Sequence, residues 1–173
     1  METAYIANEA HYDAVLCKAL DARRTLWIGT ADLKDLHVKT GGSSVPFLQA
    51  LAERIEGGLE VRLIHAKEPG PRFREDFDRF PALATHLERI FCPRVHFKLI
   101  IIDCKTAYIG SANLTGAGLG MKSPRRRNFE AGVLTDDPAL VEQAVQQFDD
   151  LWIGTPCQTC GRTEYCTDRI EGD

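Results

Sequence analysis

Apolar and polar positions along the chain alternate between two periods, one of strands and one of helices. Residues 9–22 (EAHYDAVLCKALDA) carry apolar positions at helical spacing and predict a helix. TLWIGTADL is rich in strand formers and predicts a first strand, and KDLHVKTGGSS reads as a loop with a Gly-Gly-Ser-Ser turn signal. VPFLQALAERIEGG is an amphipathic helix closed by a glycine pair, and LEVRLIHA follows as a strand. KEPGPRFREDFDRFP reads as a polar surface loop and ALATHLERI as a short helix. VHFKLIIID is the most apolar strand, TAYIGSANLT returns as another, and NFEAGVLT is the last. DPALVEQAVQQFDDLW is a helix with Asp137 at the N-cap and Pro138 at the first helical position.

A strand, a helix and a further strand form a crossover unit. The expected class is α/β, with a mixed, largely parallel central sheet flanked by helices on both faces. Residues 1–152 make this domain, and residues 153–173 form a separate Cys-rich tail. A chain of 173 residues suits one such domain.

Three stretches carry chemistry. They are His96-Phe97-Lys98 with Asp103 five residues on, Gly110-Ser111-Ala112-Asn113, and Asn128-Phe129-Glu130. On a strand, His96 and Lys98 point the same way, about 7 Å apart. The turn at residues 103–106 sends the next strand back antiparallel, which brings Gly110, Ser111 and Asn113 level with the His96 end. Glu130, at the head of the last strand, reaches the same place. A neutral imidazole attacks phosphorus if its other nitrogen's proton is held by a carboxylate, and Glu130 is the candidate for that role. Lys98 and Asn113 would bind the non-bridging oxygens, with Ser111 adding a hydrogen bond. These groups supply the electrostatics, so no catalytic metal is called for. Strand alternation aims Asp103 away from the His96 face, which gives it a structural role.

The joint pattern H-x-K-x4-D, G-S-x-N, N-x-E resembles the phospholipase D superfamily over residues 5 to 152. The resemblance implies two copies of the motif per active site. This chain has one, as do short members that form homodimers, among them the small bacterial endonucleases of the family. One His96 would then form a phosphohistidine, while the partner's copy would protonate the leaving group and activate water.

The motif does not choose the phosphodiester. The net charge of −4 excludes a global polycation, so nucleic-acid affinity must come from local patches. Lys122 and the run Arg125-Arg126-Arg127 provide one immediately before Asn128. DNA or RNA is therefore favoured as substrate. Phospholipid hydrolysis or phosphatidyl transfer is the alternative, and a nucleic-acid-binding module with little catalysis is a third reading. The first residues lack a basic start and an apolar run, and no stretch has transmembrane length, so a cytoplasmic protein is expected.

Of six cysteines, Cys157, Cys160 and Cys166 cluster near the end of the chain. C-x2-C is a chelating turn, and a reducing compartment favours metal over disulfide. A structural zinc site is expected there, with Cys92, four residues before His96, as fourth ligand. An iron–sulfur cluster also suits four thiolates. The other histidines, His11, His37, His65 and His86, have no partner pattern.

Overall fold

The computed structural model describes residues 2–167. Residues 168–173, the end of the expected tail, lie outside the described residues. The elements are β1 (Thr3–Ala7), a π-helical turn (Tyr12–Cys17) leading into α1 (Lys18–Leu20), β2 (Thr25–Thr30), β3 (His37–Thr40), β4 (Ser43–Pro46), α2 (Phe47–Glu56), β5 (Glu60–His65), α3 (Pro71–Arg79), α4 (Pro81–His86), β6 (Leu87–Phe91), β7 (Lys98–Ile102), β8 (Thr106–Gly110), β9 (Ala131–Thr135) and α5 (Pro138–Trp152). Short 3₁₀ turns occupy Pro124–Arg126, Thr155–Thr159 and Thr163–Tyr165.

Seven strands form one mixed sheet in the order β1-β9-β8-β7-β2-β5-β6. The crossover through α2 makes β2 and β5 parallel, and β6 joins β5 in parallel. Every other pairing is antiparallel, so the sheet is not largely parallel. The tight β7–β8 turn forces one reversal, and β9 and β1 continue it to the sheet edge.

Helices cover both faces. The larger core packs α2, α3 and α4, through Phe47, Leu51, Phe73 and Leu83, against Leu26, Ile28, Val61, Ile100 and Ile102. The smaller core packs α5, through Val141, Ala144 and Phe148, against Leu99, Ile101 and Ala107. Strand β7 is thus buried on both faces, which is why its sequence is apolar without alternation. Asp137 caps α5 by accepting from the amides of Ala139 and Leu140 (2.9 and 3.3 Å).

Four segments differ from the sequence reading. Residues 3–7 add the edge strand β1. Residues 37–46 are a hairpin rather than a loop, because Gly41 and Gly42 both take positive φ (55° and 85°) and so make a tight primed turn. The polar stretch after β5 contains α3, opened by Pro71 and anchored by buried Phe73. ALATHLERI divides between α4 and the edge strand β6.

Asp103 belongs to this architecture. With Cys104 it takes positive φ (53° and 52°) at the β7–β8 turn, a conformation that Asp tolerates better than most residues. Its carboxylate accepts from the backbone N–H groups of Arg23, Arg24 and Thr25 at 2.7–3.1 Å, fastening this turn to the start of β2. Partial burial pushes its pKa up, but these three donors outweigh that and hold it below the usual carboxylate range. A depressed folded pKa stabilises above the unfolded value, near 3.9, and that stability is lost as pH falls through the folded value. Asp103→Ala is expected to cost about 1–2 kcal/mol at neutral pH, like loss of a helix cap. In urea titrations at falling pH, the gap between the variant and the wild type should close.

Candidate active site

The candidate site lies where β2 and β8 end and β7 and β9 begin. Register places Lys98 opposite Gly110 on one side, while Gly29 opposite Leu99 brings Thr30 alongside Lys98 on the other. His96 stands two residues before β7, in the segment that leads into it rather than in the strand, and is exposed. The Phe97 ring lies over Gly29: a Cβ built there would come within 2.1 Å of Phe97 Cε2.

Lys98 is buried (9% exposed). Its Nζ donates to the His96 carbonyl at 2.8 Å and stands 3.5 Å from His96 Nδ1. Burial lowers its pKa; nearby Glu130 opposes that shift, and Lys67 adds to it. His96 Nε2 makes no hydrogen bond among the described residues.

Asn113 is held in one orientation. Its Oδ1 accepts from the amides of Ala31 and Asp32, both at 3.1 Å, and lies 3.2 Å from Thr30 Oγ1. Thr30 Oγ1 in turn accepts from the Leu114 amide at 3.1 Å. With the oxygen so engaged, the Nδ2 hydrogens remain for another acceptor. Asn113→Asp keeps the accepting oxygen and replaces that donor by an anion. Phosphodiester turnover should fall about 10²–10³-fold while the thermal midpoint stays close to wild type.

Glu130 is buried (8% exposed) at the head of β9. It accepts from Ser111 Oγ and from Asn128 Nδ2, the latter at 3.0 Å. Ser111 Oγ also accepts from the Ala131 amide at 3.0 Å. No hydrogen bond joins Glu130 to His96 within the chain among the described residues. The carboxylate therefore acts here on Ser111 and Asn128, and on Lys98 through its field.

A support layer beneath these groups had no sequence signature. Tyr108 is fully buried; its hydroxyl accepts from the Ala112 amide at 3.2 Å and pairs with His11 Nε2 at 2.9 Å. Burial raises its pKa to about 12. His11 Nδ1 reaches the Asn8 carbonyl at 2.9 Å, and the Asn8 side chain accepts from the Glu130 amide at 3.2 Å. Gly110 and Gly132 flank the Tyr108 ring, and a Cβ at either would meet it at 2.2–2.4 Å. The glycine of G-S-x-N is thus needed for Tyr108. The only sequence hint of this layer was a tyrosine two residues before that glycine.

The basic run divides. Lys122, Arg125 and Arg126 are exposed. Arg127 turns inward, donating to the carbonyls of Gly120, Asn8 (3.3 Å) and Gly118 (3.5 Å), so it ties the loop down rather than joining the exposed cations. Phe129, between Asn128 and Glu130, is 96% exposed. At the tail, Cys92, Cys157 and Cys160 line one cavity. Among the described residues, no three potential ligands stand at metal-binding spacing.

The fold and the arrangement of histidine, buried lysine and locked asparagine at the end of a mixed sheet are phospholipase D-like. A family model described as cardiolipin synthase, PLD-like domain, matches residues 16–152, and the chain belongs to this family. No curated protein matches at the sequence level. Among solved structures, NucT from Helicobacter pylori superposes with a TM-score of 0.65 at 15% identity, covering 87% of this chain and 95% of its own. Nuc from Salmonella typhimurium, a phospholipase D family member, gives 0.61 at 19% identity with the same coverage. TrmBL2, an archaeal chromatin protein described as having a novel mode of DNA binding, gives 0.59 at 14% identity, covering 88% of this chain and 52% of its own. Among the described residues, no helix is long and apolar enough to cross a membrane.

Proposed function

We propose that the chain is a phosphodiesterase that cleaves nucleic acid, acting as a homodimer through a phosphohistidine. The observation that carries this reading is the exposed His96 imidazole beside a buried ammonium and an orientation-locked amide donor. A phosphate at that place has a nucleophile and donors for its non-bridging oxygens. His96 Nε2 attacks phosphorus, and the bond to the leaving oxygen breaks. The partner's His96, protonated as imidazolium, gives that oxygen a proton and, now neutral, takes one from the water that cleaves the P–N bond. One imidazole cannot serve as nucleophile and acid in the same step, and a second copy supplies the other. Charge stabilisation by Lys98 and Asn113 makes the chemistry independent of a metal. Lys122, Arg125 and Arg126, exposed just before Asn128, favour a polyanionic strand as substrate.

Two other readings each have a supporting observation. The family model's description names a lipid synthase, which favours phosphatidyl transfer. The likeness to a chromatin protein favours binding without turnover. Purified protein should be assayed on single- and double-stranded DNA, RNA and phosphatidylglycerol vesicles. Cleavage of a nucleic acid is the expected result. Turnover of lipid alone, or binding to nucleic acid without cleavage, would overturn the proposal.

A further inference from the structure

The cysteines of the tail are not used by the proposed chemistry, and their placement is not that of scattered thiols. Two residues past the end of α5 at Trp152, Gly154 takes a φ of 81° that redirects the chain. Its amide bonds back to the Leu151 carbonyl at 3.2 Å, and Cys157 N donates to the Gly154 carbonyl at 2.8 Å. A 3₁₀ turn follows, with Cys160 N donating to the Cys157 carbonyl at 3.2 Å. Cys157 lies in this turn and Cys160 caps it, and both line the same cavity.

They face Cys92. Its amide donates to the carbonyl of His65, the last residue of β5, at 2.8 Å, and its carbonyl accepts from Val95 at 3.0 Å. Cys92, Cys157 and Cys160 line one cavity of about 390 Å³ with Arg94, Phe97 and Leu151. Cys166 arrives from the following 3₁₀ turn, its Sγ 4.0 Å from the carbonyl of Phe91, the neighbour of Cys92. Two segments more than sixty residues apart thus bring four thiols to one edge, while Cys17 and Cys104 lie elsewhere.

We propose that Cys92, Cys157, Cys160 and Cys166 form a structural zinc site that clamps the tail to the segment leading into His96. Four thiolates suit a closed tetrahedral zinc site, and the C-x2-C turn is its usual nucleus. In the structure the four are gathered but not drawn to ligand spacing, and Cys160 Sγ instead accepts from Arg94 Nη1 at 3.5 Å. Binding replaces that contact with a metal–thiolate bond and releases the thiol protons. The consequence for the site is positional. Residues 93–95 form a short turn from Cys92, and the Phe97 ring lies over Gly29, so a metal on Cys92 fixes His96 from one side while Phe97 fixes it from the other.

The test is metal content, which does not depend on the phosphodiesterase reading. The full chain, purified under reducing conditions with zinc supplied, should carry about one zinc per chain. Cys157→Ser and Cys92→Ser should each lose it, Cys92→His should retain it, and Cys17→Ser should leave it unchanged. Cobalt substitution should give a thiolate-to-cobalt charge-transfer band that disappears in Cys92→Ser. Metal-free protein that takes up no added zinc would overturn the proposal. So would zinc retained in full by both serine variants, or recovery of the four cysteines as disulfides.

Discussion

Replacement of His96 by Ala is expected to abolish nucleic-acid cleavage, with turnover falling about 10³-fold or more, as on removal of other catalytic nucleophiles. The fold should be unaffected. His96 is exposed, and among the described residues the only hydrogen-bond partner of its side chain is Lys98 Nζ, 3.5 Å from Nδ1. The stronger contact, from Lys98 Nζ to the His96 carbonyl at 2.8 Å, is to backbone and survives the change. Affinity for substrate should remain within a few-fold of wild type, because Lys98, Asn113 and the exposed cations are untouched. The variant also tests the second copy. Mixed with a large excess of His96→Ala chain, wild-type protein should lose nearly all activity through formation of mixed dimers. If mixed dimers keep half the wild-type rate, each chain works alone and the two-copy mechanism is wrong.

The second large effect concerns stability. Gly110→Ala should destabilise the protein by about 3 kcal/mol, the upper range for overpacking a filled interior. The added methyl would stand 2.2 Å from the Tyr108 hydroxyl and 2.8 Å from the Ala131 carbonyl. Neither can move away cheaply. Tyr108 is fully buried, with its hydroxyl bonded to His11 and the Ala112 amide, and Ala131 carries the β8–β9 junction, where its carbonyl accepts from Ser111 N at 2.9 Å. Urea unfolding followed by near-ultraviolet circular dichroism would measure the loss. Gly110→Ala in a Tyr108→Phe background should be milder, since the closest colliding atom is gone. Equal losses in both backgrounds would mean that the ring carbon Cζ at 2.5 Å and the Ala131 carbonyl at 2.8 Å, not the hydroxyl, set the constraint.

How much of this was legible in the sequence depends on how local each signal is. The β7–β8 turn was readable, because short turns impose antiparallel return and fix register, and counting outward from residues 103–106 brings Gly110 to the His96 end. The helix of residues 47–56 and the strands β2 and β5 that it connects were readable from period alone. The parallel character was overestimated because one crossover unit was extended to the whole sheet. The hairpin of residues 37–46 was missed because Lys39, Ser43 and Ser44 are exposed and only Val38 is buried, which leaves a weak alternation. The layer of Asn8, His11 and Tyr108 was invisible for a different reason. Tyr108 stands 97 residues from His11, and nothing in a run of sequence marks two polar groups that meet only after β1 pairs with β9. Arg127 looks like its two neighbours in sequence, and only the three carbonyls around it distinguish it.

The three-donor grip on Asn113 Oδ1 has a mechanical consequence. Those donors belong to residues 30–32, the turn that leaves β2, and Asp32 in turn pairs with Lys34 at 3.1 Å and Lys67 at 4.0 Å. The amide that would meet phosphate is therefore set during folding, and an arriving substrate need not arrest its rotation. Any change that shifts this turn by a fraction of an ångström, even one that never touches the substrate, would swing the amide off its aim. Residues 30–32 would then show up in a mutational scan as lost turnover with ground-state affinity intact.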